Sequence, residues 1–381
     1  MTIQITSGFD AGNILVDACD DPNDIRLQIR KDNQSDFLQW FYFRAVGIAG
    51  QASQFNIINA GETTYPAGWE NYDVVCSYDR QQWFRVPSSY DGKTLSWSLE
   101  SQHDSAYFAY FAPYSHEQHC DLVAFANTCS GVSNQSLGLT LDSRDLDYLH
   151  IGPMAPMQSS VKRLSVWAIA RQHPGESMAS FWMEGWLQRL LDEDDATSRA
   201  LRELADIHVV PNMNPDGSVR GHLRTNAAGA NLNREWQDAS MENSPEVLLV
   251  RDRMHEAGVD LCIDVHGDEA IPHNFIAGTE GVTGWNDQRE QTLIDFKNNL
   301  ASLNPDFQTE HGYPRNAPNS ANLTFCSNYV AHTFACPAYT LEMPFKDTAN
   351  TPQPDVGWSP ERSMMLGGSF VTAVYQALAR S

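Results

Sequence analysis

The rhythm of hydrophobic and polar positions changes once along this chain. Over residues 1–113, short alternating runs such as Ile25-Arg26-Leu27-Gln28-Ile29 and Trp40 to Val46 are punctuated by Asp/Asn and Pro/Gly clusters. A period of two with such punctuation predicts an all-β unit. From about residue 160, continuous apolar runs alternate with helix-period segments. The runs Leu164 to Ala170, Ile207 to Asn212, Leu261 to Val265 and Ala338 to Met343 predict buried strands. Met178 to Leu191, Thr197 to Leu204, Glu246 to Ala257, Gln291 to Leu303 and Phe370 to Ala379 predict helices. In the first of these, Met178, Phe181, Trp182 and Trp186 fall on one face, a core-facing stripe. Strand–helix alternation predicts an α/β sheet covered on both faces, with its site at the strand ends. Gly229, Gly281, Gly284 and Pro314 mark loops placed to rim that site.

Two of the apolar runs end in potential metal ligands. One is followed by Arg171-Gln172-His173-Pro174-Gly175-Glu176, the other by Val265-His266-Gly267-Asp268. His173 and Glu176 are three apart, so a helical turn opened by Pro174 puts imidazole and carboxylate on one face. Adding His266 gives two histidines and a glutamate, an open zinc set that leaves a fourth position for water. Water on zinc ionises near neutral pH and becomes a nucleophile, so the pattern points to a zinc hydrolase. By contrast, His116-Glu117-Gln118-His119 has one residue between glutamate and second histidine where a metalloprotease helix needs two. Set in a Pro- and Tyr-containing turn, His116 and His119 are expected to be structural or surface residues. Asp264 lies on the same strand face as His266, either orienting it or making a plain structural hydrogen bond.

Further motifs stand in a fixed order around these ligands: Asn212-Met213-Asn214-Pro215-Asp216-Gly217, then Arg224, then Leu232-Asn233-Arg234, and finally Tyr339-Thr340-Leu341-Glu342. Together they resemble the zinc carboxypeptidases of the carboxypeptidase A fold. The segments Leu38 to Arg44, Phe55 to Asn59 and Ala106 to Ser115 are similar to the β-sandwich domain that precedes the catalytic domain in cytosolic carboxypeptidases and their bacterial relatives. The resemblance covers nearly the whole chain. It implies an α/β, mixed-sheet catalytic domain over 114–381 with helices on both faces, preceded by a sandwich over 1–113. It implies one zinc per chain on His173, Glu176 and His266, the ligand set that carboxypeptidase A itself carries. Glu342 would be the base that takes the water proton, and Arg224 the donor to the oxyanion. Asn233 and Arg234, with Arg224, would hold the terminal carboxylate of a peptide or protein substrate. The Asn212 to Gly217 turn reads as scaffold.

An aspartoacylase-like deacylase uses a similar ligand pattern and is the alternative, with a non-catalytic binding protein as a third class. The run Asn316 to Met343 holds no Lys or Arg, which argues against a glutamate-preferring pocket. The same stretch holds no Asp or Glu up to Leu341, which argues equally against a basic preference. Tyr329 is the nearest positional match to the mobile tyrosine of digestive members. The aromatic group Trp40, Phe41, Tyr42 and Phe43 is expected to face the catalytic domain.

Composition narrows the setting. The 381-residue chain carries 25 Lys+Arg against 48 Asp+Glu, a formal net charge of −23. Such a field repels nucleic acid and anionic membranes. Many bacterial proteins are acidic simply for colloidal reasons. No apolar run is long enough to span a bilayer, and Met1 to Asp10 lacks a basic, then apolar, leader pattern. Seven scattered cysteines, none in C-x-x-C form, suit free thiols in a cytoplasmic compartment. The sequence sets no oligomeric state.

Overall fold

A computed structural model describes residues 2–154 and 163–379. The N-terminal part forms two five-stranded sheets. One is antiparallel, in the order Gln4–Thr6, Tyr42–Val46, Ser105–Ala109, Val74–Ser77, Phe84–Val86. The other runs Leu15–Ala18, Ile25–Gln28, Ala52–Ile57, Leu95–Glu100, Ser88–Tyr90, with one parallel pair in its middle. Alternation does what period two requires: in Ala52–Ile57, Ser53, Phe55 and Ile57 are buried while the intervening residues are not. Between the sheets, Phe43, Phe55, Trp97 and Phe108 pack with ring centroids 4.7–6.3 Å apart. The expectation for Trp40 to Phe43 is therefore corrected. Phe41 and Phe43 fill the sandwich's own interior, and Trp40 Nε1 donates to Ala11 O at 2.8 Å. Aromatic contact to the C-terminal part is made instead by Tyr110, stacked on Phe345 at 4.3 Å, and by Phe111, edge-on to the same ring at 6.3 Å.

A helix, His116–Asn127, follows where a turn was expected. Ser115 Oγ accepts from Gln118 N at 3.2 Å while Ser115 N donates to Gln118 Oε1 at 2.9 Å, a reciprocal cap that starts the helix. His119 is buried and contacts Asp147 Oδ2 at 2.9 Å, so it serves packing.

The C-terminal part forms a seven-stranded sheet in the order Val132–Leu139, Asp145–Ile151, Ala205–Val210, Leu164–Ala170, Leu261–Asp268, Ala338–Pro344, Phe275–Ala277. The four central strands are parallel and the flanking pairs antiparallel, so the sheet is mixed. Alternate residues of Leu164–Ala170 enter two different cores. Val166, Ala168 and Ala170 join Trp182, Trp186 and Phe370 on one face, whereas Trp167 and Ile169 join Val247, Val250 and Val330 on the other. Both faces of the sheet are thus covered by helices.

Element edges move for physical reasons. The His266 strand runs three residues beyond the expected Val265, because pairing with Ala338–Pro344 continues to Asp268. Asn212 leaves its strand to begin the turn that ends in the cap of Pro215–Arg220, where Asn214 Oδ1 accepts from Gly217 N at 3.0 Å. Helix Met178–Leu190 is buried nearly all round rather than on one stripe. It lies between the sheet and the C-terminal helix Pro360–Ala379, which starts ten residues before its expected Phe370. Glycines make that crossing: a Cβ on Gly185 would lie 2.0 Å from Met364 O, and one on Gly367 2.0 Å from Trp182 O.

Candidate active site

The carboxyl ends of the central parallel strands converge on one cavity. Leu164–Ala170 ends at Arg171, whose φ of 63° turns the chain sharply. Its buried guanidinium holds that turn, with Nε donating to Pro174 O at 2.8 Å and Nη1 to Ser180 Oγ at 3.1 Å. His173 and Glu176 project from the turn. His266 comes from the neighbouring strand, where it pairs in register with Glu342 on the next. Side by side in parallel strands, those two side chains emerge on one face.

His173 Nδ1 lies 2.7 Å from Glu176 Oε1, and His266 Nδ1 lies 2.8 Å from Glu176 Oε2. The two Nδ1 atoms are 3.1 Å apart. Three buried ligand groups, all within 4.8 Å of one another, thus aim their donor atoms at one point. Each imidazole's far nitrogen is engaged elsewhere. His173 Nε2 meets Asn231 Oδ1 at 3.0 Å and His266 Nε2 meets Asp264 Oδ2 at 3.0 Å. Trp236 Nε1 donates to Gln172 Oε1 at 2.8 Å, and Gln172 Nε2 to Asp264 Oδ2 at 2.7 Å, fixing that carboxylate behind the ring. This is the outer support a metal-binding histidine takes, and it selects the orienting role for Asp264.

A buried carboxylate stands between the two imidazoles at the centre. Burial alone would neutralise His266, yet Asp264 and Glu176 on either side hold its pKa well above the usual histidine range. Burial pushes the Glu176 carboxyl up, but the two imidazoles bring it well below the carboxylate range. Burial, with Arg224 nearby, pushes His173 down to about 4, leaving it a neutral donor. A borderline-soft divalent ion with nitrogen and oxygen ligands fits this set.

The cavity occupies about 740 Å³ and is lined by His173, Glu176, Arg224, Asn233, Arg234 and Glu342. The metal-ligand, base and carboxylate-reading candidates from the sequence therefore lie at one place, with His266 completing the ligand group behind it. Glu342 is buried, and its Oε2 has no hydrogen-bond partner among the described residues. Burial, reinforced by Glu176, Asp268 and Glu269, raises its carboxyl well above the usual range, against the pull of His266. Arg234 lies flat on Phe325, 3.7 Å from the ring centroid, with Nη1 on Asn233 O at 2.6 Å. Asn233 is partly committed: its Oδ1 accepts from Cys326 N at 2.8 Å.

Several cavity residues had no sequence signal. Tyr65 arrives from the N-terminal part, and Tyr313 donates to Asp268 Oδ2 at 2.7 Å. Glu269 is 6% exposed with an unpartnered Oε1, and burial pushes its carboxyl up to about 8. Charge also reaches the wall from outside the uncharged run Asn316 to Leu341, through Lys297 and Glu280. Arg315 lines the cavity too, but is paired with Glu290. Tyr329 is a correction: its hydroxyl lies 3.0 Å from His255 Nε2, outside the cavity. Of the expected rim residues Pro314 lines the cavity, whereas Gly229 packs on Gln34 of the sandwich.

Comparison with known proteins agrees with this geometry. Residues 5–111 match the cytosolic carboxypeptidase N-terminal domain, and residues 121–354 match the zinc carboxypeptidase domain. An uncharacterized protein of Zymomonas mobilis is 50% identical over 367 residues, covering 96% of this chain and 94% of its own. The metallo-carboxypeptidase of Burkholderia cenocepacia superposes with a TM-score of 0.96 at 46% identity over 100% of both chains. That of Pseudomonas aeruginosa, in complex with (2-guanidinoethylmercapto)succinic acid, gives 0.95 at 44% identity over 98% of this chain and 100% of its own. The chain spans only 30% of the length of the mouse cytosolic carboxypeptidase 3 that it also matches. Family model, relatives and site chemistry favour peptide-bond hydrolysis over the deacylase alternative, and the chain belongs to the zinc carboxypeptidase family, as a metallocarboxypeptidase with a cytosolic-carboxypeptidase N-terminal domain.

Proposed function

We propose that this protein removes single residues from the C-termini of peptides or proteins, using one zinc per chain held by His173, Glu176 and His266. The observation that carries the proposal is the shared cavity: ligand triad, unpartnered Glu342 oxygen and two arginines line or adjoin one space. Bound there, zinc supplies Lewis acidity to the scissile carbonyl and lowers the pKa of water. Glu342 accepts the proton of the attacking water and returns it to the leaving amine, a task suited to a buried carboxyl of raised proton affinity. Arg224 donates to the oxyanion as charge develops on the carbonyl oxygen. Arg234, steadied by Phe325 and by its Nη1 bond to Asn233 O, turns its remaining donors onto the terminal carboxylate, assisted by Asn233 Nδ2.

The succinic acid derivative in complex with the Pseudomonas relative, a dicarboxylate, supports a carboxylate-reading site. A cytoplasmic setting is supported by seven unpaired cysteines, and no described helix is long and apolar enough to cross a membrane. The net charge of −23 disfavours nucleic acid and anionic membranes as partners.

The test compares one peptide with a free C-terminal carboxylate and with a C-terminal amide. The zinc-loaded protein should cleave the free acid and ignore the amide, and a chelator should abolish cleavage until zinc is restored. Arg234→Ala should raise KM for the free acid and shrink the difference between the two peptides. Equal cleavage of acid and amide by the wild type would overturn the assignment.

A further inference from the structure

Arg224 stands on a catalytic-domain loop, yet its backbone amide and its side chain are both held from the other domain. Asp32, 3% exposed, follows the sandwich strand Ile25–Gln28. Its Oδ1 accepts from Leu223 N at 2.7 Å. Its Oδ2 accepts from Arg224 N at 2.8 Å, Thr225 N at 2.9 Å and Thr225 Oγ1 at 3.1 Å. Three successive amides wrapped on one carboxylate define the local backbone, as in an anion nest. Asp32 N in turn donates to Phe37 O at 2.8 Å, which ties the carboxylate to its own loop.

Neighbouring contacts hold the rest of that segment. Asn33 Nδ2 donates to Ala227 O at 2.7 Å, and Asn13 Nδ2 to Gly221 O at 2.8 Å. Gly229, at φ 80°, lies so close to Gln34 O that a Cβ would be 2.6 Å from it. The Arg224 side chain lies between two sandwich-domain rings, its Cζ 5.6 Å from the centroids of both Phe37 and Tyr65. Among the described residues its guanidinium makes no hydrogen bond and no ion pair. The rings restrain the planar cation by cation–π attraction while leaving every N–H donor free for the cavity.

Resting on the assignment of Arg224 to the oxyanion, we infer that Asp32, Phe37 and Tyr65 are positioning residues for that arginine, so the N-terminal domain is a working part of the catalytic site. An oxyanion donor is effective because it is already oriented when charge develops. An arginine on a free loop would have to be ordered in the transition state, and kcat would fall.

A double-mutant cycle on the zinc-loaded full chain tests this, reading kcat, KM and bound zinc with a free-acid peptide. Arg224→Ala should lower kcat by about 10²–10³. Asp32→Ala should lower kcat at least tenfold while KM changes less than about threefold and zinc content stays at wild-type level. In the Arg224→Ala background, Asp32→Ala should cost less than a further twofold, because there is no guanidinium left to position. Asp32→Asn, which keeps one acceptor oxygen, should recover part of the loss. If Asp32→Ala does not fold, Phe37→Leu takes its place in the same cycle. Equal losses in both backgrounds would overturn the inference, as would an unchanged kcat in the variant with Arg224 intact. An Arg224→Ala protein with unchanged kcat would remove the oxyanion assignment itself, and this inference with it.

Discussion

Glu342 lies in register beside His266, and one of its carboxylate oxygens finds no partner among the described residues. Leaving a buried polar atom unpaired costs about 1–3 kcal/mol, and here the unpaired oxygen faces the cavity where a water would be activated. Glu342→Gln keeps size and polarity but cannot take up the water proton. Single-turnover assays should show kcat reduced about 10²–10⁴-fold, with KM and bound zinc close to wild type. A variant with wild-type turnover would remove Glu342 from the chemistry. His266 and Glu342 were legible in the sequence because each lies on or ends an apolar run, where a polar residue is conspicuous, and His173 and Glu176 because they stand three apart just after one. Asn231 was not, since its contact with His173 Nε2 depends on which way the ring faces, and spacing carries no such information. Tyr65 and Asp32 were hidden for a different reason: they act across domains, more than a hundred residues from what they touch.

At the scale of elements, the pattern of apolar runs located all four central strands, because strands buried on both faces read as unbroken hydrophobic stretches. Helix starts were harder to read. Capped by Asn286, helix Asp287–Leu303 starts four residues before the expected Gln291, where the exposed first turn has no apolar period. Helix Pro245–Ala257 contains a group with a measurable signature. Glu246 is fully buried, held by Asn226 Nδ2 at 3.1 Å, and burial pushes its carboxyl up to about 7. In the unfolded chain the same carboxyl titrates near its ordinary value of about 4.3. Between those values the unfolded chain loses a proton that the folded protein keeps, so the group's contribution to stability is full below the lower value and declines as pH rises towards 7. Glu246→Gln is indifferent to pH. Thermal unfolding should give variant and wild type similar Tm values near pH 4.5. The variant should gain a few degrees at pH 8, as expected for a shift of this size. A Tm difference independent of pH would mean that Glu246 is ionised in the folded protein.

Across the whole molecule, the two domains share one interior. The hydrophobic cluster that begins with Phe41, Trp69 and Tyr110 in the sandwich continues without a break to Phe345, Trp358 and the helices behind the catalytic sheet. Arg85 crosses the same boundary: its Nη2 donates to Phe345 O at 2.8 Å and Trp358 O at 3.2 Å, and Nε donates to Val356 O at 3.3 Å. Gly357, at φ 65°, gives that guanidinium its space, since a Cβ there would lie 2.7 Å from Arg85 Nε. The sequence showed a change of rhythm near residue 113 but not this shared core, because alternation reports which residues are buried and not against what. A catalytic fragment spanning 114–381 keeps the Ser115 cap of its first helix, so its helix starts are intact. It nevertheless exposes the apolar patch around Phe345 and Trp358, leaves their carbonyls without Arg85, and frees the Leu223 to Thr225 amides from Asp32. Exposed apolar surface of this kind drives association, and a loop without its anchor loses its fixed geometry. The fragment should elute as aggregate or bind a hydrophobic dye, and any monomer recovered should carry zinc with kcat at least tenfold below the full chain. The intact protein should unfold in a single calorimetric transition. A monodisperse fragment of full activity would show that the sandwich is an independent appendage, and the cooperative picture drawn from the shared core would be lost.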